Sequence, residues 1–389
     1  MDSFEFMSPT EFILQKDADK LCGEKIKRIS DVCLFVHYGD GFTYKTGLHA
    51  RITESLEMAG VEYYELPGVE PNPKVKLVRK GIEICKEKKV GCILAVGGGS
   101  VIDTAKAIGI GAGYDGDVWD FYSKKAAPTE SIPVGTVMTL PATGSEGSNG
   151  SVLKNDQTGE SADVMADCIR PVFTLMNPEL TMTIPKRQTI FGIVDMFSHV
   201  MERYFSSSVE VNLTDYMCEG VMKSIIVNAR TLMTDLTDYN ARAELMWTSI
   251  VAHNGLLATG RNQDWATHTM GAQLSAQYNA VHGSTLSVLF PCWAEYVYKE
   301  NLPRFVQFAN RVFDVDLDFY NQEKTAKEGI RRLREFFEWM GAPTCLSQIG
   351  VENDEKFKMM AETACRFGDI GGIKALNARD VEEIYKMAQ

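Results

Sequence analysis

Short apolar runs alternate with amphipathic stretches along the first half of the chain. Residues 32–36 form an apolar run of strand length, followed by a Gly/Asp turn and a helical pattern near 46–59. Residues 62–66 read as a second strand, 75–88 as an amphipathic helix, 92–96 as a third strand and 101–109 as a helix. Strand-like runs recur at 133–139 and 171–176. Strands separated by helices predict parallel βαβ units. Past Pro185 the period changes. Segments 187–204, 214–232, 240–257, 264–277, 302–311, 322–340 and 354–365 all read as helices, with no convincing strand among them. The switch at Thr183-Ile184-Pro185 predicts two domains, an α/β domain over 1–185 and an all-α domain over 186–389.

Composition narrows the function classes. The chain has 389 residues, 40 basic against 52 acidic, for a net charge of −12. Such a balance disfavours nucleic acid and anionic membrane surfaces as partners, because both are bound through Lys and Arg. No run of about 18 apolar residues is present, so no membrane span is expected. The start, Met1-Asp-Ser-Phe-Glu, lacks the basic and apolar regions of a secretory signal. The nine cysteines include no CxxC pair, which fits reduced thiols and a cytoplasmic location.

Four constellations carry chemistry. Gly97-Gly98-Gly99-Ser100 lies between a strand and a helix, where free N–H groups of the first helical turn favour an anion; the bland alternative is a tight turn. Thr139-Leu-Pro-Ala-Thr-Gly-Ser-Glu146, with Ser148 and Asn149, closes the next strand with small polar residues. Such a run suits phosphate, ribose or nicotinamide, and equally an ordinary polar loop. Asp40 follows the first strand between two glycines. There a carboxylate can accept from an adenosine ribose and repel a 2′-phosphate, or simply make a turn. The last set is Asp195, His199, His268 and His282. Asp195 and His199 share a helix face at i, i+4. His268 and His282 would lie about 21 Å apart on one straight helix, so the chain must turn between them. One carboxylate and three imidazoles suit a divalent transition metal; singly, each histidine fits a hydrogen-bonded core role. Trp265, His253, Asn254 and Phe197 are candidate pocket walls.

Together, Gly97-Gly-Gly-Ser-Val-Ile-Asp103, Pro141-Ala-Thr-Gly-Ser-Glu146, Asp195-Met-Phe-Ser-His199 and the His268…His282 segment resemble the iron-containing, or group III, alcohol dehydrogenases, and among them the butanol-dehydrogenase-like branch. The resemblance implies a Rossmann-like dinucleotide-binding α/β domain, a helical domain and an active-site cleft between them. It implies Fe²⁺ or Zn²⁺ held by Asp195, His199, His268 and His282, which would be the catalytic set. It implies NAD or NADP bound by Gly98, Gly99 and Ser100 at the pyrophosphate. Asp103, Thr139, Leu140, Thr143, Ser145 and Asn149 would surround the cofactor. Asn72 falls where relatives place a cofactor-contacting Asn, and Asp40 where NAD-preferring relatives carry Asp. The implied reaction interconverts primary alcohols and aldehydes, in a homodimer. Two departures stand out. Ala272 replaces a His that many relatives carry four residues after the third ligand, and Glu160-Ser-Ala-Asp163 lacks a cofactor-contacting Lys. These leave ribose hydroxyls and water as the proton route. Two alternatives stay open: a polyol (glycerol-type) dehydrogenase of the same fold, against which the Asp/His/His/His set argues, and, supported by these departures alone, a catalytically weak homologue with a binding role.

Overall fold

The structure is a computed structural model that describes residues 1–39 and 41–389; Asp40 lies outside the described residues. The chain forms two compact units. One comprises Met7–Thr183 with Thr237–Asn254, the other Met1–Phe6, Ile184–Leu236 and Gly255–Gln389. A single cut at 185/186 does not reproduce this division. The Tyr239–His253 helix keeps with the sheet, where Met246 and Ile250 pack on Met138 and Met176.

The first unit is built on a six-stranded sheet. Its strands are β1 (Glu11–Leu14), β2 (Val32–His37), β3 (Glu62–Leu66), β4 (Cys92–Gly97), β5 (Val134–Met138) and β8 (Phe173–Met176). A separate antiparallel hairpin pairs β6 (Gly150–Lys154) with β7 (Ser161–Met165). The sheet order is β1-β8-β5-β4-β2-β3, and among the described residues every pairing in it is parallel. Parallel strands buried on both faces read as continuous apolar runs. Alternate residues serve opposite layers. Leu34, Val36, Ile93 and Ala95 pack with the Val75–Lys88 and Gly99–Ala112 helices. Cys33, Phe35, Cys92, Leu94 and Val96 pack with Leu48, Ile52 and Leu56 of the Leu48–Met58 helix. From β2 the chain crosses to β3 on one side, and from β4 to β5 on the other. The carboxyl ends of β2 and β4 therefore flank the point where the winding reverses, the usual ligand crevice of such sheets.

The second unit is helical. Its long helices are Lys186–Tyr204, Asn212–Thr234, Ala266–Tyr278, His282–Val297, Leu302–Phe313 and Gln322–Met340, followed by Phe357–Ala364 and Ala378–Met387. The His282–Val297 helix lies outside the segments that periodicity singles out. It is buried on nearly every side and contains Pro291, so it shows little amphipathic contrast and carries a local breaker signal. Among the described residues, no helix is long and apolar enough to cross a membrane.

Candidate active site

The glycine turn sits at the winding reversal. Gly97 ends β4, Gly98 caps the Gly99–Ala112 helix, and the cap has no side chain to satisfy the first-turn N–H groups. Val101 N–H turns back to the Gly98 carbonyl at 3.0 Å, and the N–H groups of Gly99 and Ser100 are left to an anion. Side chains are excluded here by contact. A Cβ on Gly99 would meet Thr143 Oγ1 at 2.6 Å and Cγ2 at 2.7 Å, while Leu140 Cβ lies 3.0 Å from the Cβ position of Gly98. The structure thus brings Gly98, Gly99, Leu140 and Thr143 together. Thr139 joins them by donating its N–H to the Gly97 carbonyl at 3.1 Å.

The other predicted cofactor residues have varied surroundings. The Asp103 carboxylate is used within the protein. Its Oδ1 accepts from the Ser145 hydroxyl at 2.6 Å and its Oδ2 from the Val152 N–H at 3.1 Å. Asn149 donates to Asp167 Oδ1 at 3.1 Å. Asn72 is exposed on the loop after β3 with φ 58°. That loop leaves the same carboxyl edge of the sheet as the glycine turn.

Lys106, which sequence reasoning passed over, ties this region together. Its ammonium is fully buried and donates to the carbonyls of Ser145 at 2.6 Å, Ser148 at 2.9 Å and Gly150 at 2.9 Å. Burial lowers its pKa to about 8, against the pull of Asp103 and Glu146. Burial likewise pushes Glu146 up to about 7, although Ser249 and Lys106 stabilise its ionised form. The available signal was a lysine one helical turn beyond Asp103 in an otherwise apolar helix.

The helical unit gathers the four predicted metal ligands. Asp195 and His199 lie on Lys186–Tyr204, His268 on Ala266–Tyr278, and His282 opens His282–Val297. Asn279 stops the second helix with φ 53°, and the chain turns there. Gly283 then lets the third helix touch the first, because a Cβ on it would lie 2.3 Å from the Phe191 carbonyl oxygen. Asp195 Oδ1 is the hub, 3.8 Å from His199 Nδ1, 3.7 Å from His268 Nε2 and 3.5 Å from His282 Nε2.

The donor atoms of Asp195, His199 and His268 lie within 4.8 Å of one another, close enough to share an ion, and His282 reaches the group through Asp195. Four N/O donors about 2.1 Å from a tetrahedral ion stand roughly 3.4 Å apart, too far for good hydrogen bonds to one another. Asp195 Oδ1 and His268 Nε2 are buried without a hydrogen-bond partner. The buried charges favour positive charge at this point, as protons on the imidazoles or as a metal ion that displaces them. Burial opposes ionisation of Asp195, but His199, His268 and His282 outweigh it and hold the carboxyl well below its usual range. Burial works against charge on His268, yet Asp195 and Glu202 push it up to about 9.

Glu202 is a second residue that sequence reasoning missed. It is buried, and it meets His268 Nδ1 at 2.9 Å. Its signal was the spacing 195, 199, 202, which continues one helix face at i, i+4, i+7. Of the predicted walls, Trp265 packs beside the ligands, with ring centroids 5.1 Å from His268 and 6.0 Å from His199. Phe197 is core, against Phe336 and Phe337. Asn254 is buried in the sheet unit, its carbonyl accepting from Arg170.

His37, His49 and Glu65 form another close group. Gly39 N–H donates to His37 Nδ1 at 3.1 Å, which leaves the ring proton on Nε2, facing Glu65 Oε2 at 3.4 Å. That atom is a donor here and not a metal ligand.

The chain is similar over nearly its whole length to known proteins. Residues 9–178 match the family described as iron-containing alcohol dehydrogenase, and residues 189–389 match its C-terminal part. The chain is 42% identical over 386 residues to the probable NADH-dependent butanol dehydrogenase 1 of Bacillus subtilis (strain 168), covering 99% of each chain. It is 32% identical over 355 residues to the NADPH-dependent aldehyde reductase YqhD of Escherichia coli (strain K12), covering 90% of each. Among solved structures it is similar to NADH-dependent butanol dehydrogenase A from Thermotoga maritima, with TM-score 0.95, 34% identity, and coverage of 100% and 99%. By both halves of its sequence and by its fold, the chain belongs to the iron-containing alcohol dehydrogenase family.

Proposed function

We propose that this chain is a metal-dependent, NAD(P)-linked oxidoreductase that interconverts primary alcohols and aldehydes, with Asp195, His199, His268 and His282 holding Fe²⁺ or Zn²⁺. The observation that carries this reading is the convergence of three imidazole nitrogens on Asp195 Oδ1 at 3.5–3.8 Å. When bound, the ion supplies Lewis acidity at the substrate oxygen and the nicotinamide supplies hydride transfer. Asp195 contributes the one formal negative charge among the four ligands. His282 is the most exposed ligand, at 38% of its side chain, against 4% for Asp195, so substrate approaches past it. Gly98, Gly99 and Ser100 take the pyrophosphate at the helix N-terminus. Thr139, Leu140, Thr143, Ser145 and Asn149 shape the adjoining cofactor wall, and Asp103 sets that wall by holding Ser145. With Ala272 in place of a histidine, a bound cofactor's ribose hydroxyls and water would supply the proton route.

Relatives named as butanol dehydrogenases and an aldehyde reductase do not favour the polyol alternative. The same reading extends to a preference for NAD(H), a homodimer and a cytoplasmic setting. Twofold assemblies are the commonest form of soluble oligomer, and light scattering at micromolar concentration tests the dimer. Metal analysis tests the centre itself. His268→Ala should lose most bound metal and activity while keeping its fold, and full occupancy in that variant would sink the assignment.

A further inference from the structure

Glu202 lies three residues beyond His199 on the Lys186–Tyr204 helix and is fully buried. Its carboxylate faces donors that all come from residues 265–268. Oε1 accepts from His268 Nδ1 at 2.9 Å, from the His268 N–H at 3.1 Å and from the Thr267 hydroxyl. Oε2 accepts the Trp265 N–H at 2.8 Å. A carboxylate accepts and does not donate. His268 therefore keeps a proton on Nδ1, and Nε2, the atom that faces Asp195, is the nitrogen left to give its lone pair to a metal. Trp265 precedes the Ala266–Tyr278 helix in left-handed backbone, φ 64°, a conformation that bulky residues rarely hold without support. Its indole lies beside His268 and His199, and the Arg203 guanidinium covers it at 4.7 Å from the ring centroid.

We propose that Glu202 is a positioning residue for the metal centre, holding His268 in its metal-binding tautomer with one oxygen and clamping Trp265 as a wall of the centre with the other. Carboxylates that grip the far nitrogen of a ligating histidine raise its basicity and fix its ring. The proposal rests on the reading of Asp195, His199, His268 and His282 as metal ligands. It reaches Trp265 through Glu202 and not through the ion.

The test titrates Co²⁺ into chelator-stripped full-length protein. It reads the affinity by chelator competition and the geometry by the visible bands. Glu202→Ala should weaken binding about 10–100-fold. Glu202→Gln is isosteric. Its amide NH₂ must face donors at one end, and the Trp265 end holds one donor against three at the other. The amide oxygen therefore stays with His268 as a weaker, neutral acceptor, and Trp265 loses its clamp. About tenfold weaker binding with shifted Co²⁺ bands is expected. Wild-type affinity and unshifted bands in folded Glu202→Gln would overturn the proposal, even if Glu202→Ala fails to fold. His268→Ala is the control. Loss of metal there, with wild-type behaviour in Glu202→Gln, defeats the Glu202 role alone. Retained metal there defeats the ligand reading and the proposal with it.

Discussion

Replacing Lys106 by Met removes one ammonium group and takes a charged donor from three carbonyls, those of Ser145, Ser148 and Gly150; the Ser145 carbonyl keeps only the longer contact from the Ser148 N–H at 3.4 Å. Three hydrogen bonds from a charged donor, at about 1.5 kcal/mol each, amount to roughly 4–5 kcal/mol. Removing one member of a buried charged cluster costs about 3–5 kcal/mol by a separate line of evidence. The two figures agree because both count polar groups stranded out of water. Asp103 and Glu146 would also lose their nearby cation. For a unit of this size, about 2–4 °C of melting temperature goes with each kcal/mol, so the sheet unit should melt roughly 6–20 °C lower. These carbonyls belong to the loop that carries Ser145 and Asn149, so NADH binding should weaken at least about tenfold, which is about 1.4 kcal/mol. Calorimetry of the metal-loaded protein and fluorescence titration with NADH read the two effects separately. A variant that melts within about 2 °C of the parent and binds NADH equally well would show that Lys106 neither supports the fold nor sets the loop.

Three further outcomes concern single residues. Gly99→Ala places a methyl group 2.6 Å from Thr143 Oγ1; overpacking of this kind costs about 1–3 kcal/mol, so NADH affinity should fall while metal content stays constant. Burial raises Glu146 from 4.5 to about 7, so the folded state keeps a proton that the unfolded chain has already released. Its contribution to stability is full below about pH 4.5 and is lost as pH rises toward 7, an effect of about 3 kcal/mol; Glu146→Gln should flatten that stretch of a melting-temperature profile, and an unchanged slope would contradict the assignment. Asp40→Gly should raise NADPH-linked activity relative to NADH-linked activity, since a carboxylate beside a 2′-phosphate costs several kcal/mol; a parent protein that already prefers NADPH would reduce Asp40 to a turn residue.

Local periodicity carried the α/β-then-α plan, because a buried parallel strand and an amphipathic helix differ within a few residues. It also carried the Asp195/His199 pair, which needs only one helix. Other features depended on tertiary packing. The polar hairpin β6–β7 has little hydrophobic contrast, and the edge strand β1 exists through its pairing with β8. The wholly buried His282–Val297 helix has no polar face to display a period. His268 and His282 reach Asp195 only because the chain turns at Asn279 and Gly283 allows close contact with Phe191. Lys106 and Glu202 were visible as charged residues in apolar helices, but nothing local distinguishes a solvated charge from one whose partners lie 39–66 residues away. The sequence by itself determined most of the elements and the residue types able to hold a metal and a dinucleotide. Tertiary structure decided which buried charges meet, because a polar group removed from water takes its partner from whatever the fold brings alongside.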